Sequence, residues 1–304
     1  MKLATPRAVA RAIRAEVLAS PPPPTAKRAG SEGIVTAAGG LGMLVNAWIL
    51  CTRLRALGCS LPIEIFSGAS EIVPERVRAA FPEGVEFRRL SGDPPGYSIK
   101  PIALWASELD RCLWLDADNF PLVDPSSLLR HEHRACFWPD AFVCSDPELL
   151  AGFEVELGGL ELESGQIVLS TLEDARALWI VRQLNERHRE IVYRHLLGDK
   201  DTWRIGWALA GAPAHVVPHL PSVFGDYTYQ RELPLLGATL KLRVPGAPPA
   251  DTGLLQRDDR GAPLLLHRTV KEWSLFDHDD QLHWLQRIDA QSREPRTRWR
   301  PSDP

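Results

Sequence analysis

The sequence predicts an α/β protein with a mostly parallel sheet that is covered on both faces. Short apolar runs, typical of buried strands, alternate with segments whose apolar residues recur every three to four positions, as in helices. Parallel strands need such crossovers and are buried on both faces. The 304 residues are 44% hydrophobic and 24% charged, which is typical of a globular protein with a substantial core.

The first 32 residues are predicted to form an N-terminal helix and a Pro-rich linker. Four apolar residues share one face of this helix: Val9, Ile13, Val17 and Leu18. Pro21–Pro24 is stiff, and residues 25–32 are mostly polar, as in a linker. We expect the helix to dock on the domain or to fray, and contact with a membrane surface is the alternative.

The globular domain is expected to span residues 33–290, with a flexible tail at 291–304. In its first half, 33–120, the predicted strands are 34–37, 63–66, 85–90 and 112–115. The helices between them are predicted at 44–57, 74–81 and 101–109. The second half, 121–290, is expected to be a smaller mixed region, with strands at 135–138, 167–170 and 264–266 and helices at 172–189 and 201–210.

Charge and cysteine content exclude several classes of protein. The net charge of −4 argues against a general nucleic-acid binder. No run of 18 apolar residues occurs, so no membrane span is expected. The five cysteines include no Cys-x-x-Cys pair, and they lie mostly in apolar runs. We therefore expect buried free thiols and a cytoplasmic location.

Asp116 and Asp118 are the strongest candidates for chemistry. They follow the apolar run 112–115, at the carboxyl edge of the predicted sheet, where open α/β sheets bind ligands. In an extended chain, side chains two positions apart point the same way, so both carboxylates can reach one cation. Oxygen ligands suit Mg²⁺ or Mn²⁺. The alternative is a turn or capping pair; two further Asp-x-Asp pairs, 199/201 and 277/279, follow no apolar strand.

Two basic residues and one histidine complete this interpretation. His267 ends the apolar strand 264–266 and is the candidate third metal ligand. Lys271, four residues later, is expected to meet the same diphosphate as a point charge. Lys100, at a helix start near the same sheet edge, is also expected to meet a phosphate, or else to be solvated.

Two polar segments are further candidates. Glu163, Ser164, Gly165 and Gln166 precede a predicted strand, and the glycine allows a ligand close to the backbone. Asp199 and Asp201 lie at the start of a predicted helix, where Asp201 alternatively serves as an N-cap.

Taken together, these segments resemble the fungal-type alpha-mannosyltransferases, glycosyltransferase family 71. The matching segments occur in the family's order across residues 33–210: Gly33-Ile34-Val35 with Gly39-Gly40, Leu54-Arg55-x-x-Gly58 with Leu61-Pro62-Ile63-Glu64, Lys100-Pro101, Leu115-Asp116-Ala117-Asp118-Asn119, Phe137-Trp138-Pro139-Asp140, Glu163-Ser164-Gly165-Gln166 and Gly198-Asp199-Lys200-Asp201-Thr202. The unit from His267 to Trp273 is similar to the tail motif of glycogenin-like retaining glycosyltransferases.

The resemblance implies a GT-A fold, in which a Rossmann-like nucleotide-binding half (33–120) is fused to an acceptor half (121–290). It implies a nucleotide-sugar donor, with GDP-mannose favoured, a cofactor Mn²⁺ or Mg²⁺, and transfer of a hexose to a hydroxyl with retention at the anomeric carbon. Asp116 and Asp118 would then bind the metal and the donor diphosphate, and Ala37, Gly39 and Gly40 would line the nucleotide pocket. The segments 163–166 and 199–201 would hold the donor sugar and the acceptor hydroxyl, with Asp199 or Glu163 stabilising the cationic sugar.

The acceptor and the donor stay open at this stage. Fungal members are anchored in the Golgi, whereas this sequence shows no anchor, so we expect a glycan, lipid-linked, small-molecule or protein acceptor in the cytoplasm. The alternatives are a UDP-sugar-dependent transferase and a non-catalytic nucleotide-sugar-binding protein on a degenerate transferase fold. A haloacid-dehalogenase-like phosphotransferase is disfavoured because Asp116 lies deep in the chain and the later Gly198-Asp199-Lys200-Asp201 segment is misspaced.

Overall fold

A computed structural model of the chain describes residues 5–141, 145–157, 160–224, 228–233, 238–243 and 253–268. The helices in this part are α1 (Pro6–Ala19), α2 (Gly40–Ala56), α3 (Glu75–Arg78), α4 (Ile99–Ala106), α5 (Pro147–Gly152), α6 (Ala175–Glu186), α7 (Arg189–Val192) and α8 (Lys200–Ala210). The strands are β1 (Arg28–Ala37), β2 (Ile63–Ser67), β3 (Val85–Arg89), β4 (Leu109–Leu115), β5 (Asn119–Pro121), β6 (Cys136–Pro139), β7 (Leu162–Ser170), β8 (His215–Val216), β9 (Ser222–Phe224), β10 (Thr228–Leu233), β11 (Ala238–Arg243), β12 (Gly253–Arg257) and β13 (Pro263–His267). Short 3-10 helices occupy Gly96–Ser98 and Pro125–Arg130.

The main sheet has seven strands in the order β3-β2-β1-β4-β7-β6-β8. Only β7 runs antiparallel to its neighbours among the described strands of this sheet. The α/β class with a mostly parallel sheet is therefore confirmed. Val35 of β1 lies opposite Trp114 of β4, so Ala37 and Asp116, two residues further along each strand, lie at the same carboxyl edge.

Helices cover both faces of this sheet, as predicted. Alternate strand residues, such as Val35 and Cys112, pack with residues of α4, α6 and α8. The intervening residues, such as Ile34 and Leu113, pack with α2 on the other face. The four cysteines within the described residues are free and buried in or beside these cores.

A second, antiparallel sheet has the order β5-β13-β12-β9. β5 follows the Asp116–Asp118 turn directly, and its pairing with β13 places His267 opposite Asn119. The small sheet therefore brings the end of the described chain to the carboxyl edge of the large one. A separate hairpin consists of β10 and β11.

Several elements begin or end elsewhere than predicted. β1 starts at Arg28, inside the segment predicted as a linker, because the Arg28 amide donates to the carbonyl of Glu108 beside β4. α4 ends at Ala106 rather than at 109, since the Lys27 ammonium donates to the carbonyls of Trp105 and Ser107 at its end. The predicted strand 167–170 is longer and begins at Leu162.

Two predicted helices are shorter than expected. The helix predicted at 74–81 is the single turn α3, and the one predicted at 172–189 divides into α6 and α7. Asp174 stands at the start of α6, where its carboxylate accepts the backbone N–H of Ser170 and the guanidinium of Arg134.

The N-terminal helix docks on the domain. Ala10, Ile13 and Val17 of α1 are buried in a cluster with apolar residues of α5 and α6. A β-carbon at Gly152 of α5 would lie 2.4 Å from the Arg7 carbonyl oxygen, so the glycine allows the two helices to approach closely. Among the described helices, none has the length and apolar character that crossing a membrane requires.

Candidate active site

A turn at the end of β4 presents the two aspartates. The Asp116 amide donates to the Gly165 carbonyl at 2.7 Å and extends the pairing with β7. The Asn119 amide then donates to the Asp116 carbonyl at 2.9 Å, which closes a turn over 116–119. The carboxylates therefore converge because the chain turns, and the predicted reason, side-chain alternation in extended chain, is wrong.

His267 joins them from the second sheet. Its Nε2 lies 3.3 Å from Asp118 Oδ1 and 3.6 Å from Asp116 Oδ2. One ligand atom from each of the three side chains falls within 4.8 Å of the other two. The side chains of Asp116, Asp118 and His267 are 24%, 21% and 9% exposed, so an ion from solvent can reach them.

Glu163 lies behind His267. Its Oε1 is 3.0 Å from His267 Nδ1, and both carboxylate oxygens accept the Gly165 amide at 2.9 Å. Burial opposes the charge on Glu163, but His267 together with Lys200 and Lys100 lowers its pKa to about 2. Burial also opposes the charge on His267, and Glu163 and Asp118 nevertheless raise its pKa well above the ordinary value. The Glu163 contact directs Nε2 of His267 toward the aspartates, as metal-binding histidines require.

Gly165 leaves the space that His267 occupies. A β-carbon on this residue would lie 2.4 Å from His267 Nδ1 and 3.0 Å from Glu163 Oε2. The sequence predicted that the segment 163–166 precedes a strand, but the structure places it inside β7. Glycine is needed here because the histidine ring packs directly against the strand backbone.

Lys100 and Asp199 form a buried layer beneath Asp116. The Lys100 ammonium lies 3.1 Å from Asp116 Oδ1 and 3.4 Å from Asp199 Oδ2, and it donates to the carbonyl and hydroxyl oxygens of Ser164 at 2.6 and 2.9 Å. Burial disfavours the ammonium charge, yet the Asp116 and Asp199 carboxylates raise the pKa of Lys100 above its ordinary value. Burial raises the pKa of Asp116, although Lys100 and His267 oppose this effect.

Three polar contacts of the site were not predicted from the sequence. Trp114 donates its indole N–H to Asp116 Oδ1 at 2.6 Å, and Trp203 donates to Asp199 Oδ2 at 2.8 Å. The Asn119 side-chain amide donates to the Gly165 carbonyl. Spacing offers a weak signal for the tryptophans, which lie two residues from Asp116 on a strand and four from Asp199 on a helix.

The remaining predicted residues lie at different distances from this cluster. Ala37 ends β1 at the same sheet edge, Gly39 is the N-cap of α2, and Gly40 begins that helix. Gln166 is fully buried, and neither amide atom of its side chain has a hydrogen-bond partner among the described residues.

Asp201 and Lys271 are not placed in the cluster. The Asp201 carboxylate accepts hydrogen bonds from Ser145 and from Arg204, and the N-cap position of α8 is Asp199. Lys271 lies outside the described residues, as does the rest of the predicted tail motif.

The side chains that converge here suit a divalent cation. Four carboxylates (Asp116, Asp118, Glu163 and Asp199) outnumber the cationic Lys100 and His267 by two, even with the imidazole protonated. Two carboxylates and one imidazole form a mixed oxygen and nitrogen ligand set, and three protein ligands leave coordination positions for water or substrate oxygens. The residues present therefore fit a metal ion.

Sequence comparison with known proteins finds similarity to mannosyltransferases. A family model described as "Mannosyltransferase putative" matches residues 31–149, which include Asp116 and Asp118. Alpha-1,2-mannosyltransferase MNN2 of Candida albicans is 27% identical over 165 residues, which cover 49% of this chain and 27% of that protein. The matched part thus spans about a quarter of the length of this relative.

A solved structure of the galactosyltransferase LgtC with donor and acceptor sugar analogs aligns with a TM-score of 0.41 and 15% identity, over 61% of this chain and 73% of that chain. The sequence matches confirm the resemblance that the motifs predict: over residues 31–149, this chain is similar to the mannosyltransferase family.

Proposed function

We propose that the protein is a metal-dependent glycosyltransferase that transfers a hexose, mannose from GDP-mannose, to a hydroxyl acceptor with retention. The observation that carries this proposal is the convergence of Asp116, Asp118 and His267 at the carboxyl edge of the sheet, within 4.8 Å of one another. Two of these residues lie in the segment that is similar to mannosyltransferases. The name of the Candida relative supports mannose as the transferred sugar.

The partly exposed side chains would hold the cofactor. Asp116, Asp118 and His267 would ligate Mn²⁺ in preference to Mg²⁺, because Mg²⁺ favours an all-oxygen ligand set. The ion would supply charge neutralisation at the departing diphosphate of the donor.

The buried residues would act by positioning. Glu163 orients the imidazole of His267, because its Oε1 atom lies 3.0 Å from His267 Nδ1. Lys100 and Asp199 are too buried to reach a sugar, and their mutual contacts hold Asp116 in place. We therefore propose positioning roles for Glu163 and Asp199, which the sequence suggested as groups that stabilise the sugar cation.

In the proposed reaction, the bond between the anomeric carbon and the diphosphate oxygen breaks, and the electron pair leaves with the diphosphate. The acceptor oxygen then bonds to the anomeric carbon from the same face, and its proton passes to the departing diphosphate. Such a mechanism relies on orientation and on charge stabilisation, which are what a preorganised acidic cluster offers.

Release of GDP from GDP-mannose, by transfer or by slow hydrolysis, tests this proposal. We expect release in the presence of Mn²⁺ and a loss of at least about 100-fold in Asp118→Asn, which removes one charged ligand but keeps the shape. Asp124→Asn is the matched control, since Asp124 caps the 3-10 helix at 125–130 and is not part of the cluster. Equal release by Asp118→Asn and the control would contradict the metal assignment, and release from UDP-sugars only would overturn the mannose donor.

A further inference from the structure

A second cluster of metal-ligating side chains lies at the far edge of the main sheet. His131 follows the 3-10 helix at 125–130, His215 lies on the edge strand β8, and Asp259 lies in the turn between β12 and β13. His131 Nε2 is 2.6 Å from Asp259 Oδ2, and His215 Nε2 is 2.6 Å from Asp259 Oδ1. Three segments distant in the sequence therefore meet at one carboxylate.

The possible ligand atoms of this cluster lie close together. One atom from each side chain lies within 4.8 Å of the other two. A tetrahedral zinc ion with bonds of about 2.0–2.1 Å separates neighbouring ligand atoms by about 3.3 Å, so each nitrogen–oxygen distance would open by less than about 1 Å. The side chains of His131, His215 and Asp259 are 24%, 22% and 33% exposed, which gives an ion access and leaves a coordination position for water.

Neighbouring groups hold the ligands in this orientation. The ring of His133 stacks on His215 with centroids 4.2 Å apart and planes 15° from parallel. His219 Nε2 lies 3.1 Å from the Asp259 carbonyl oxygen. Such outer contacts fix the direction of metal ligands and are a regular feature of metal sites.

Metal binding at His131 requires the imidazole proton to lie on Nδ1 instead of Nε2. In the metal-free arrangement, His131 Nδ1 accepts the backbone N–H of His133 at 3.2 Å, so Nε2 carries the proton that points to Asp259. When a metal binds Nε2, the ring proton would lie on Nδ1, and this N–H would donate a hydrogen bond to Cys136 Sγ, 3.7 Å away. The contact with the His133 amide is given up in exchange.

We propose that His131, His215 and Asp259 form a second metal site, for Zn²⁺ or a similar borderline transition metal, that fastens the β12–β13 hairpin to the edge of the main sheet. Two imidazoles and one carboxylate are the ligand set of known three-ligand zinc sites, whereas Asp116, Asp118 and His267 offer only one nitrogen. β13 carries His267, so zinc at Asp259 stabilises the hairpin that completes the active site.

Zinc titration of the metal-free full chain tests this site, with Asp118→Asn as the background that disables the first cluster. We expect the Asp118→Asn protein to bind one Zn²⁺ more per chain than the double variant Asp118→Asn, His215→Ala. Zinc should also raise the melting temperature of the Asp118→Asn protein. When Co²⁺ replaces Zn²⁺, we expect visible absorption typical of a nitrogen-bound metal. His215→Ala lowers the affinity by at least about 100-fold. His195→Ala is the matched control because His195 also pairs with an aspartate, Asp146, at 2.7 Å.

Asp259→Asn provides a second variant that preserves the shape of the turn, in case His215→Ala fails to fold. Unchanged zinc stoichiometry in both variants, or no zinc uptake by the background protein, would overturn the proposal. The Mn²⁺ dependence of GDP release is a separate measurement on protein with an intact Asp118, so failure of either site is recognised independently.

Discussion

At the scale of single residues, the candidate active site depends on charged side chains that are stabilised by ion pairs and hydrogen bonds with neighbouring groups. Asp116 contacts Lys100, Trp114 and His267, and Glu163 contacts His267 and the Gly165 amide. The sequence predicted that Asp116, Asp118 and His267 come together, because all three directly follow apolar strands whose ends were expected at one edge of the sheet. The hydrogen bond from Trp114 to Asp116 was not predictable in this way, because a tryptophan in an apolar run is also an ordinary core residue.

Gly165 is the residue whose replacement reports most directly on His267. In Gly165→Ala the added methyl group lies 2.4 Å from the present position of His267 Nδ1, so the imidazole must move. We expect the affinity for Mn²⁺ to fall by about 10-fold to 100-fold, as when an outer contact of a metal ligand is lost. Metal titration of the purified variant measures this change.

Gly92→Ala is the control for that substitution. A β-carbon at Gly92 meets no atom within 4 Å. If Gly165→Ala and Gly92→Ala bind Mn²⁺ equally well, His267 is not the third ligand.

At the scale of secondary-structure elements, strand pairing assembles the site. β5 is only three residues long and contains Pro121, so the sequence offered little reason to predict it. Its pairing with β13 nevertheless brings His267 next to Asp118, 149 residues earlier in the chain. β4 and the strand that ends at His267 were predicted because their cores are continuous apolar runs. The first parts of β1 (28–32) and β7 (163–166) are largely polar and were missed, since tertiary contacts rather than a hydrophobic pattern determine them.

The N-terminal helix contributes to the folded domain at this scale. Ile13 of α1 is buried against apolar residues of α5 and α6. Ile13→Ala should lower the free energy of unfolding by about 2–5 kcal/mol, as for other large-to-small core substitutions. Denaturant unfolding measures the loss.

Leu18→Ala is the control on the same helix. Leu18 is only partly buried, so the loss should be clearly smaller than for Ile13→Ala. Wild-type stability in Ile13→Ala would show that α1 does not dock in solution.

At the scale of the whole molecule, the two sheets contribute different residues to the candidate active site. The large, mostly parallel sheet presents Asp116 and Asp118 at one edge, and the small antiparallel sheet supplies His267. The regular alternation of strands and helices over residues 28–115 made β1 to β4 of the first sheet predictable from the sequence, and short apolar runs predicted β6 and β7. The two-residue strand β8 was not predicted. In the second sheet only β13 was predicted. β5, β9 and β12 were missed because they are short and because Pro-rich and Gly-rich segments lie between them, so their pairing depends on distant partners.

The central claim is that this edge of the molecule binds a nucleotide sugar together with a divalent metal. The most direct measurement is the melting temperature with GDP-mannose and a panel of UDP-sugars, each with Mn²⁺ and with a chelator. A ligand at about 100 times its dissociation constant adds about 2.7 kcal/mol of stability, which shifts the transition visibly. We predict a shift with GDP-mannose that requires Mn²⁺ and is lost in Asp118→Asn, whereas no shift with any nucleotide sugar, or the same shift in chelator, would contradict the account.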